Sequence, residues 1–374
     1  MKKIVYCNPS LCNPDGIERV LIGKANFFAD VLGYEVTIVL TDGEGLPLPY
    51  NLSPRVHVQQ LNIGFYQAKA KTRLGLLWIY RKKMQQYRKQ LTALLMQLKP
   101  DVTVTLLRRE LNFLCKIKDG SRKIGELHLN RQHIRQVDFG PYRLRSLLTK
   151  CWMKLFIRQV RKLDTFVVLT KEDAAQWSEL QNVVVIPNKL SFLSDEVSTL
   201  QHKTVVAVGR YAWQKGFDRL IRIWSKVASS HPDWQLCIYG RGDRKPYQQI
   251  VDALGLQNSV HLYPYTNYVQ GVYLQSSIFA LTSRYEGFGL VLSEAMQMGL
   301  PCVSFACPCG PKDIITEGVD GFLIPNNDES SFAEKLSLLM DDEPLRKRMG
   351  NAARSSSFRY EEKQVMQQWM QVFE

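Results

Sequence analysis

Short apolar runs rich in β-branched residues alternate with longer stretches of helical period along the first half of the chain. "KKIVYC" (2–7), "EVTIVLT" (35–41), "DVTVTLL" (101–107), "KIGELH" (123–128), "TFVVLT" (165–170) and "NVVVIPN" (182–188) read as strands. Helical patterns fill Glu18–Leu32 and a basic stretch around 71–98. Runs that are apolar throughout, rather than alternating, fit a parallel sheet covered on both faces. "KLSFLSDEVSTLQHK" (189–203) is polar, lacks strong periodicity and reads as a linker. The pattern then restarts. "TVVAVGR" (204–210), "WQLCIYG" (234–240), "SSIFALTS" (276–283) and "PCVSFA" (301–306) predict strands, with helices over 217–230, 245–254 and 291–299. A last helix, about 360–373, carries Trp369 and Phe373 on a polar frame and is expected to pack at the domain junction. The reading is α/β, with two doubly wound units in series, as a chain of 374 residues allows. The expected division is 1–190 and 191–357, with a helix at 358–374 returning to the first unit.

Ligands of open α/β sheets bind beyond the carboxyl ends of the strands, and four such ends carry candidate chemistry. In "RYEGFGLVLSEAMQMG" (284–299), Glu286 lies just past a strand. Gly287 and Gly289 let the backbone approach a ligand. A helix starting near Leu290 or Val291 points free N–H groups at the same place, an anion site. Glu294, in the first turns, suits vicinal hydroxyls such as those of a ribose, and Glu286 suits a second sugar. Singly, each acid also reads as a helix-start or solvated loop residue; the glycine-bracketed combination favours the sugar reading. In "VGRYAWQKGFD" (208–218), Arg210 and Lys215 flank a loop where they would neutralise a diphosphate, or serve as ordinary loop charge. "PSLCNPDGIERVL" (9–21) is not the dinucleotide glycine fingerprint, but Gly16 before a helix permits close approach; Glu18 is as readily a helix-start acid. His128 ends the apolar run of "GELHLN", where a site role and a structural one stand about even.

Other features narrow the picture. Eight cysteines in a chain this long read as buried thiols rather than a disulfide framework, and Cys307-Pro308-Cys309 has no second pair or nearby histidine to complete a metal site. Asp138-Phe139-Gly140 matches the kinase triplet without the other kinase loops, Asp341-Asp342-Glu343 reads as a solvated loop, and no Asp-x-Asp pair is present. The basic start is followed by too short an apolar run for a signal peptide, and no run approaches a membrane span, so a cytoplasmic protein is expected. The net charge of +14 is uneven. Residues 1–200 hold 31 Lys and Arg against 17 Asp and Glu, later residues hold 18 of each, and 51–100 hold ten basic residues and no acid. Such asymmetry points to an anionic partner for the first half.

These residues resemble a known family. "RYEGFGLVLSEAMQMGLPCVSF" resembles the donor-site signature of family 4 glycosyltransferases, and "VGRYAWQKGFDRLI" their diphosphate-binding segment. "DGIERVL" is similar to the N-terminal Gly-Gly-x-Glu segment, with Asp15 where the family usually has its first glycine. "VVLTKEDAAQW" and "VVVIPN" resemble its linker-proximal pieces. The resemblance implies a GT-B fold of two Rossmann-like domains facing across a cleft. The first would bind acceptor and the second nucleotide sugar, in a retaining, metal-independent transfer without cofactor. On this likeness Glu294 binds ribose, Glu286 holds donor-sugar hydroxyls, and the backbone of Phe288, Gly289 and Leu290 meets sugar and phosphate. Arg210 and Lys215 stabilise the leaving diphosphate, and His128 matches a histidine near the donor sugar.

The basic first half then reads as an acceptor-side surface. "AKAKTRLGLLWIYRKKMQQYRK" (68–89) and "RLRSLLTKCWMKLFIRQVRK" (143–162) mix basic and apolar residues, although Gly75 weakens the case for one unbroken helix in the first. Basic amphipathic helices suit an anionic membrane surface, the alternative being a solvated face over a buried stripe. Nucleic acid lacks a recognition motif. The expected enzyme moves a hexose, UDP-linked, to a lipid-linked saccharide or lipopolysaccharide-like glycolipid at the inner face of the membrane. Another enzyme on the same fold, such as a nucleotide-sugar epimerase or glycan phosphorylase, and a non-catalytic binding module remain alternatives.

Overall fold

The structure is a computed structural model. It describes residues 1–12, 16–48, 50–70, 72–134 and 143–374, the side chains of 143–148 excepted. Asp15 and the Asp138-Phe139-Gly140 triplet lie outside the described residues. The chain divides into two compact units. One comprises Met1–Leu169, Ala174–Ile186 and Met366–Glu374; the other comprises Thr170–Asp173 and Pro187–Val365.

The first unit is built on seven parallel strands: β1 (Lys3–Asn8), β2 (Glu35–Leu40), β3 (Val56–Gln60), β4 (Val102–Thr105), β5 (Arg122–Glu126), β6 (Thr165–Val168) and β7 (Val183–Val185), ordered β3-β2-β1-β4-β5-β6-β7. Its helices include α1 (Gly16–Asp30), α2 (Arg73–Leu98) and α3 (Arg143–Val160); the division between units falls within α4 (Lys171–Ala175). On one face of the sheet Tyr87, Leu91 and Leu95 of α2 pack on Val5, Cys7 and Val39. Further along the same face, Phe156 and Val160 of α3 pack with Phe166, Val168 and Trp177. α2 is a single helix. Thr72 caps it, its Oγ1 accepting the Gly75 N–H at 3.0 Å, so Gly75 sits in the first turn and interrupts nothing.

The second unit has six parallel strands: β8 (Thr204–Val208), β9 (Gln235–Gly240), β10 (Val260–Pro264), β11 (Ile278–Leu281), β12 (Cys302–Phe305) and β13 (Gly321–Ile324), ordered β10-β9-β8-β11-β12-β13. The helices are α5 (Phe217–Val227), α6 (Lys245–Ala253), α7 (Val269–Leu274), α8 (Leu290–Gln297), α9 (Pro311–Ile314), α10 (Glu329–Asp341) and α11 (Glu343–Ser357). α5 buries Leu220, Ile221, Trp224 and Val227 at helical spacing against Ile238, Ile278 and Val303 of the sheet. The last helix, α12 (Glu362–Phe373), belongs to the first unit from Met366 onward. Its Trp369 is buried, and Phe373 packs on Phe28 at 5.1 Å between ring centroids.

Both sheets reverse their strand order once, between β1 and β4 in the first unit and between β8 and β11 in the second. At such a reversal the loops leaving two adjacent strands turn to opposite faces and open a crevice. The segments expected to carry chemistry leave β1, β8 and β11, and His128 lies two residues beyond the end of β5.

Candidate functional site

In the second unit, the loop from β8 to α5 and the loop from β11 to α8 lie side by side and are tied together. Arg284 donates its backbone N–H to the Gln214 carbonyl at 2.7 Å, and the Gln214 side-chain amide donates to the Tyr285 carbonyl at 3.1 Å. The Arg284 guanidinium grips Asp218 with two hydrogen bonds of 2.9 and 2.8 Å and lies over the Trp213 ring at 4.5 Å. Arg222 adds a third bond to Asp218 at 3.0 Å. Burial pushes the Asp218 carboxyl up, but Arg284 and then Arg222 outweigh it and hold it below its ordinary range. The packing is close. A Cβ at Gly216, whose φ is +64°, would stand 2.1 Å from the Thr282 carbonyl oxygen, so only glycine fits there.

This stitching brings two sequence-predicted residues into contact. Lys215 Nζ donates to Glu286 at 2.7 Å, and Ser283 Oγ donates to the same carboxylate oxygen at 2.6 Å. Both ends are largely buried, with side chains 14% and 6% exposed. Taking a carboxylate out of water is costly unless it is paired and hydrogen-bonded; here it is both. Three residues on, Gly289 takes φ +96° as the N-cap of α8, so that helix begins at Leu290. Phe288 is buried edge-on against Tyr360, with ring centroids 5.3 Å apart. Glu294 lies in the second turn of α8, buried, and accepts from Ser191 Oγ at 2.5 Å and Tyr273 Oη at 3.3 Å. Arg210 is exposed at the same loop, its Nη2 donating to Gln214 at 3.2 Å. Lys215, Glu286, Phe288, Gly289, Leu290 and Glu294 thus belong to two joined segments, with Gly287 between Glu286 and Phe288 and Arg210 at the rim.

Gly16 and His128 belong to the first unit. Gly16 is the exposed first residue of α1, and Glu18 in its first turn is buried. A cavity of about 680 Å³ opens at the ends of β1 and β4, lined by Glu18, Tyr66, Tyr80, Arg108, Arg109 and Trp152 among others. The Arg109 guanidinium stacks on Phe65 at 4.4 Å. The His128 side chain is 4% exposed, with Nε2 3.1 Å from Glu126 Oε1, a contact without the alignment of a full hydrogen bond. Glu126 is in turn paired with Lys24, whose ammonium donates to both carboxylate oxygens; the two side chains are each 1% exposed.

Several of these residues carry no local signal. Ser191 falls in the polar stretch read as linker and meets Glu294 from 103 positions away. Lys24 reads as one lysine of an amphipathic helix, and Glu126 as one residue of a strand. Arg108 and Arg109 are a basic pair directly after the run at 101–107, a local signal at a strand end that the four candidate segments leave out. Among the described residues no group of three or more His, Cys, Asp or Glu side chains is placed to hold a metal. Five of the eight cysteines, including Cys307 and Cys309, are buried thiols.

Residues 193–356 match the model of the family described as glycosyl transferases group 1. An uncharacterized glycosyltransferase of Haemophilus influenzae is 28% identical over 378 residues, spanning 99% of each chain. The amylovoran biosynthesis glycosyltransferase AmsD of Erwinia amylovora is 31% identical over 62% of this chain and 71% of its own. Staphylococcus aureus TarM, solved with α-GlcNAc-glycerol and UDP, superposes with a TM-score of 0.78 at 18% identity, each chain covered in full.

The Arg284–Asp218 grip generates a stability prediction. A carboxyl held below its ordinary value contributes fully above about pH 4, and the contribution is lost as pH falls through the lowered value. Arg284→Met should cost roughly 1–3 kcal/mol at pH 7. The gap between the thermal melts of the two proteins should be constant above about pH 4 and shrink as pH falls below the ordinary carboxyl range. A gap that stays constant as pH falls until both proteins are acid-unfolded would mean that Asp218 does not carry it.

Proposed function

Because the chain belongs to the family of group 1 glycosyl transferases, we propose that it moves a hexose from a UDP-sugar, with retention of configuration, to a lipid-linked saccharide or surface glycan. The observation that carries this reading is the buried Lys215–Glu286 pair beside the start of α8. Glu286 presents a carboxylate to the hydroxyls of the transferred sugar. The Lys215 ammonium spends one of its three donors on Glu286 and keeps two for phosphate oxygens. Arg210 and the free N–H groups at the start of α8 add positive charge at the same place, and the backbone of Phe288, Gly289 and Leu290 lines it. Glu294, one turn deeper, takes the ribose hydroxyls in exchange for its bonds to Ser191 and Tyr273. The family likeness assigns His128 to the transferred sugar and Gly16 to close backbone approach.

In the reaction the bond from the anomeric carbon to the diphosphate oxygen breaks, and a bond to the acceptor oxygen forms on the same face. The acceptor's hydroxyl proton passes to the departing phosphate oxygen. Catalysis is stabilisation of leaving-group charge by Lys215, Arg210 and the end of α8, plus positioning. No metal ion enters this reading. UDP is supported by its presence with TarM, and a surface-polysaccharide acceptor by the amylovoran role in the name of AmsD. The cavity of the first unit offers aromatic faces for sugar rings, with Arg108 and Arg109 for an anionic substituent.

A membrane-bound acceptor is supported by α2. Leu74, Leu76, Leu77 and Trp78 are exposed on its first turns, interleaved with exposed Arg73, Arg81 and Lys82. Apolar side chains flanked by cations fit the interface of an anionic bilayer, on the cytoplasmic face. No helix among the described residues is long and apolar enough to cross a membrane.

Nucleotide release from a panel of UDP-, GDP- and ADP-sugars tests the donor. One UDP-sugar should be cleaved, with or without EDTA, and Glu286→Ala should lower the rate at least a hundredfold (about 2.7 kcal/mol). Full activity in Glu286→Ala would remove Glu286 from the site. Phosphate-dependent cleavage or epimerised donor would move the protein to another reaction class. For the membrane, co-sedimentation with anionic liposomes should be strong at low salt, weaken at 0.5 M salt and fall in Trp78→Ser. Indifference to anionic liposomes at low salt would discard it.

A further inference from the structure

The first unit buries an ion pair, and a buried ion pair is in general weak evidence of a role in stability. Lys24 projects from α1 and Glu126 ends β5, and each side chain is 1% exposed. Replacing such a pair with apolar residues of similar size is commonly neutral or stabilising. Apart from Glu18, the other buried residues of α1 are apolar: Val20, Leu21, Ile22, Ala25, Phe28 and Ala29. The pair is nevertheless elaborately housed. The Lys24 ammonium bonds both carboxylate oxygens, lies 4.0 Å over the Trp369 ring from α12 and 5.8 Å from the Tyr6 ring of β1. Burial lowers Lys24 and would raise Glu126, but Lys24 and His128 together hold the Glu126 carboxyl at about 2. Tyr6, the other titratable group facing it, is pushed well up by burial and then by Glu126, and stays neutral.

What the carboxylate faces on its remaining side is His128, Nε2 at 3.1 Å from Oε1. Glu126 ends β5, and His128 follows two residues later in a bend that sets its ring beside the carboxylate. A carboxylate beside one ring nitrogen draws the imidazole proton to that nitrogen and leaves the other as the one offered to a ligand. We propose that the Lys24–Glu126 pair is the mount of His128. Glu126 is a positioning residue that keeps the proton on Nε2 and presents Nδ1 outward, and Lys24, pressed on Trp369, keeps Glu126 ionised in the interior. This role rests on the assignment of His128 to the transferred sugar. With a proton fixed on Nε2, Nδ1 is the nitrogen that meets a sugar hydroxyl; a ring free to change tautomer would not hold that hydroxyl in one orientation.

The test separates the mount from the reading it rests on. In wild-type protein, ¹⁵N shifts of labelled histidine, with His128 identified by comparison with His128→Ala, should show the proton on Nε2. A wild-type His128 carrying it on Nδ1 alone overturns the proposal without any variant of the pair. In Lys24→Met/Glu126→Leu, an apolar replacement chosen to keep the fold, that preference should be lost. UDP affinity should stay at the wild-type value, and kcat on the cleaved UDP-sugar should fall roughly 10–100-fold, as for removal of partners that orient functional histidines. Adding His128→Ala to the double variant should cost nothing further. Unchanged kcat with unchanged ¹⁵N shifts, or losses that multiply in the triple variant, overturn the proposal. A fully active His128→Ala discards the sugar assignment instead, while the ¹⁵N shifts still report whether Glu126 holds the ring.

Discussion

The Glu286 side chain is buried in the second unit against the Lys215 ammonium, and most of the local structure serves to bring the two together. β8 and β11 are neighbours at the reversal of strand order, and hydrogen bonds between the loops that leave them tie the two together at one end of the sheet. Arg284, one loop's own residue, reaches back to Asp218 and to the backbone of the other. Gly216 removes the Cβ that would block the approach, and Gly289 turns the chain into α8. Once the loops are locked, an ammonium and two carboxylates, with a helix end among them, are fixed before any ligand arrives. Preorganised charge of this kind is what group transfer from a diphosphate demands, because the charge that develops is on the departing group.

The first unit solves a related problem with different parts. It too reverses its strand order, between β1 and β4, and gathers Glu18, Arg108 and Arg109 around a cavity with aromatic walls. Its buried ion pair, Lys24 with Glu126, lies beside His128, and the Lys24 ammonium is closed over by Trp369 from the far end of the sequence. The C-terminal helix is therefore more than a cover. It supplies the aromatic face against which a buried ammonium is tolerated, and electrostatic attraction to that face is strongest where water is excluded.

How much of this is legible in the sequence depends on how local each cause is. Strands buried on both faces announce themselves as apolar runs, and most are found within a residue or two. β3 does not, because His57, Val58 and Gln59 face solvent at the sheet edge and break the run. β13, four residues long, gives too little periodicity to register. The start of α8 is legible because a glycine in a left-handed conformation is a local device. Glu286, Glu294, Arg210 and Lys215 are legible as residue types at strand ends. Their partners are not: Ser191 and Tyr273 reach Glu294 through the fold, and nothing near Lys24 in the sequence distinguishes it from a solvated lysine of an amphipathic helix. Gly75 shows the converse error, since a glycine that would weaken a helix interior is harmless in a capped first turn.

The account stands or falls on whether a nucleoside diphosphate occupies the joined loops of the second unit. Hydrogen exchange followed by mass spectrometry, with and without saturating UDP, reads this directly on the unmodified protein. The account predicts slowed exchange confined chiefly to the backbone of 209–216 and 286–294, where Lys215, Glu286 and the start of α8 lie. Exchange in both segments left unchanged by UDP, GDP and ADP alike would contradict it.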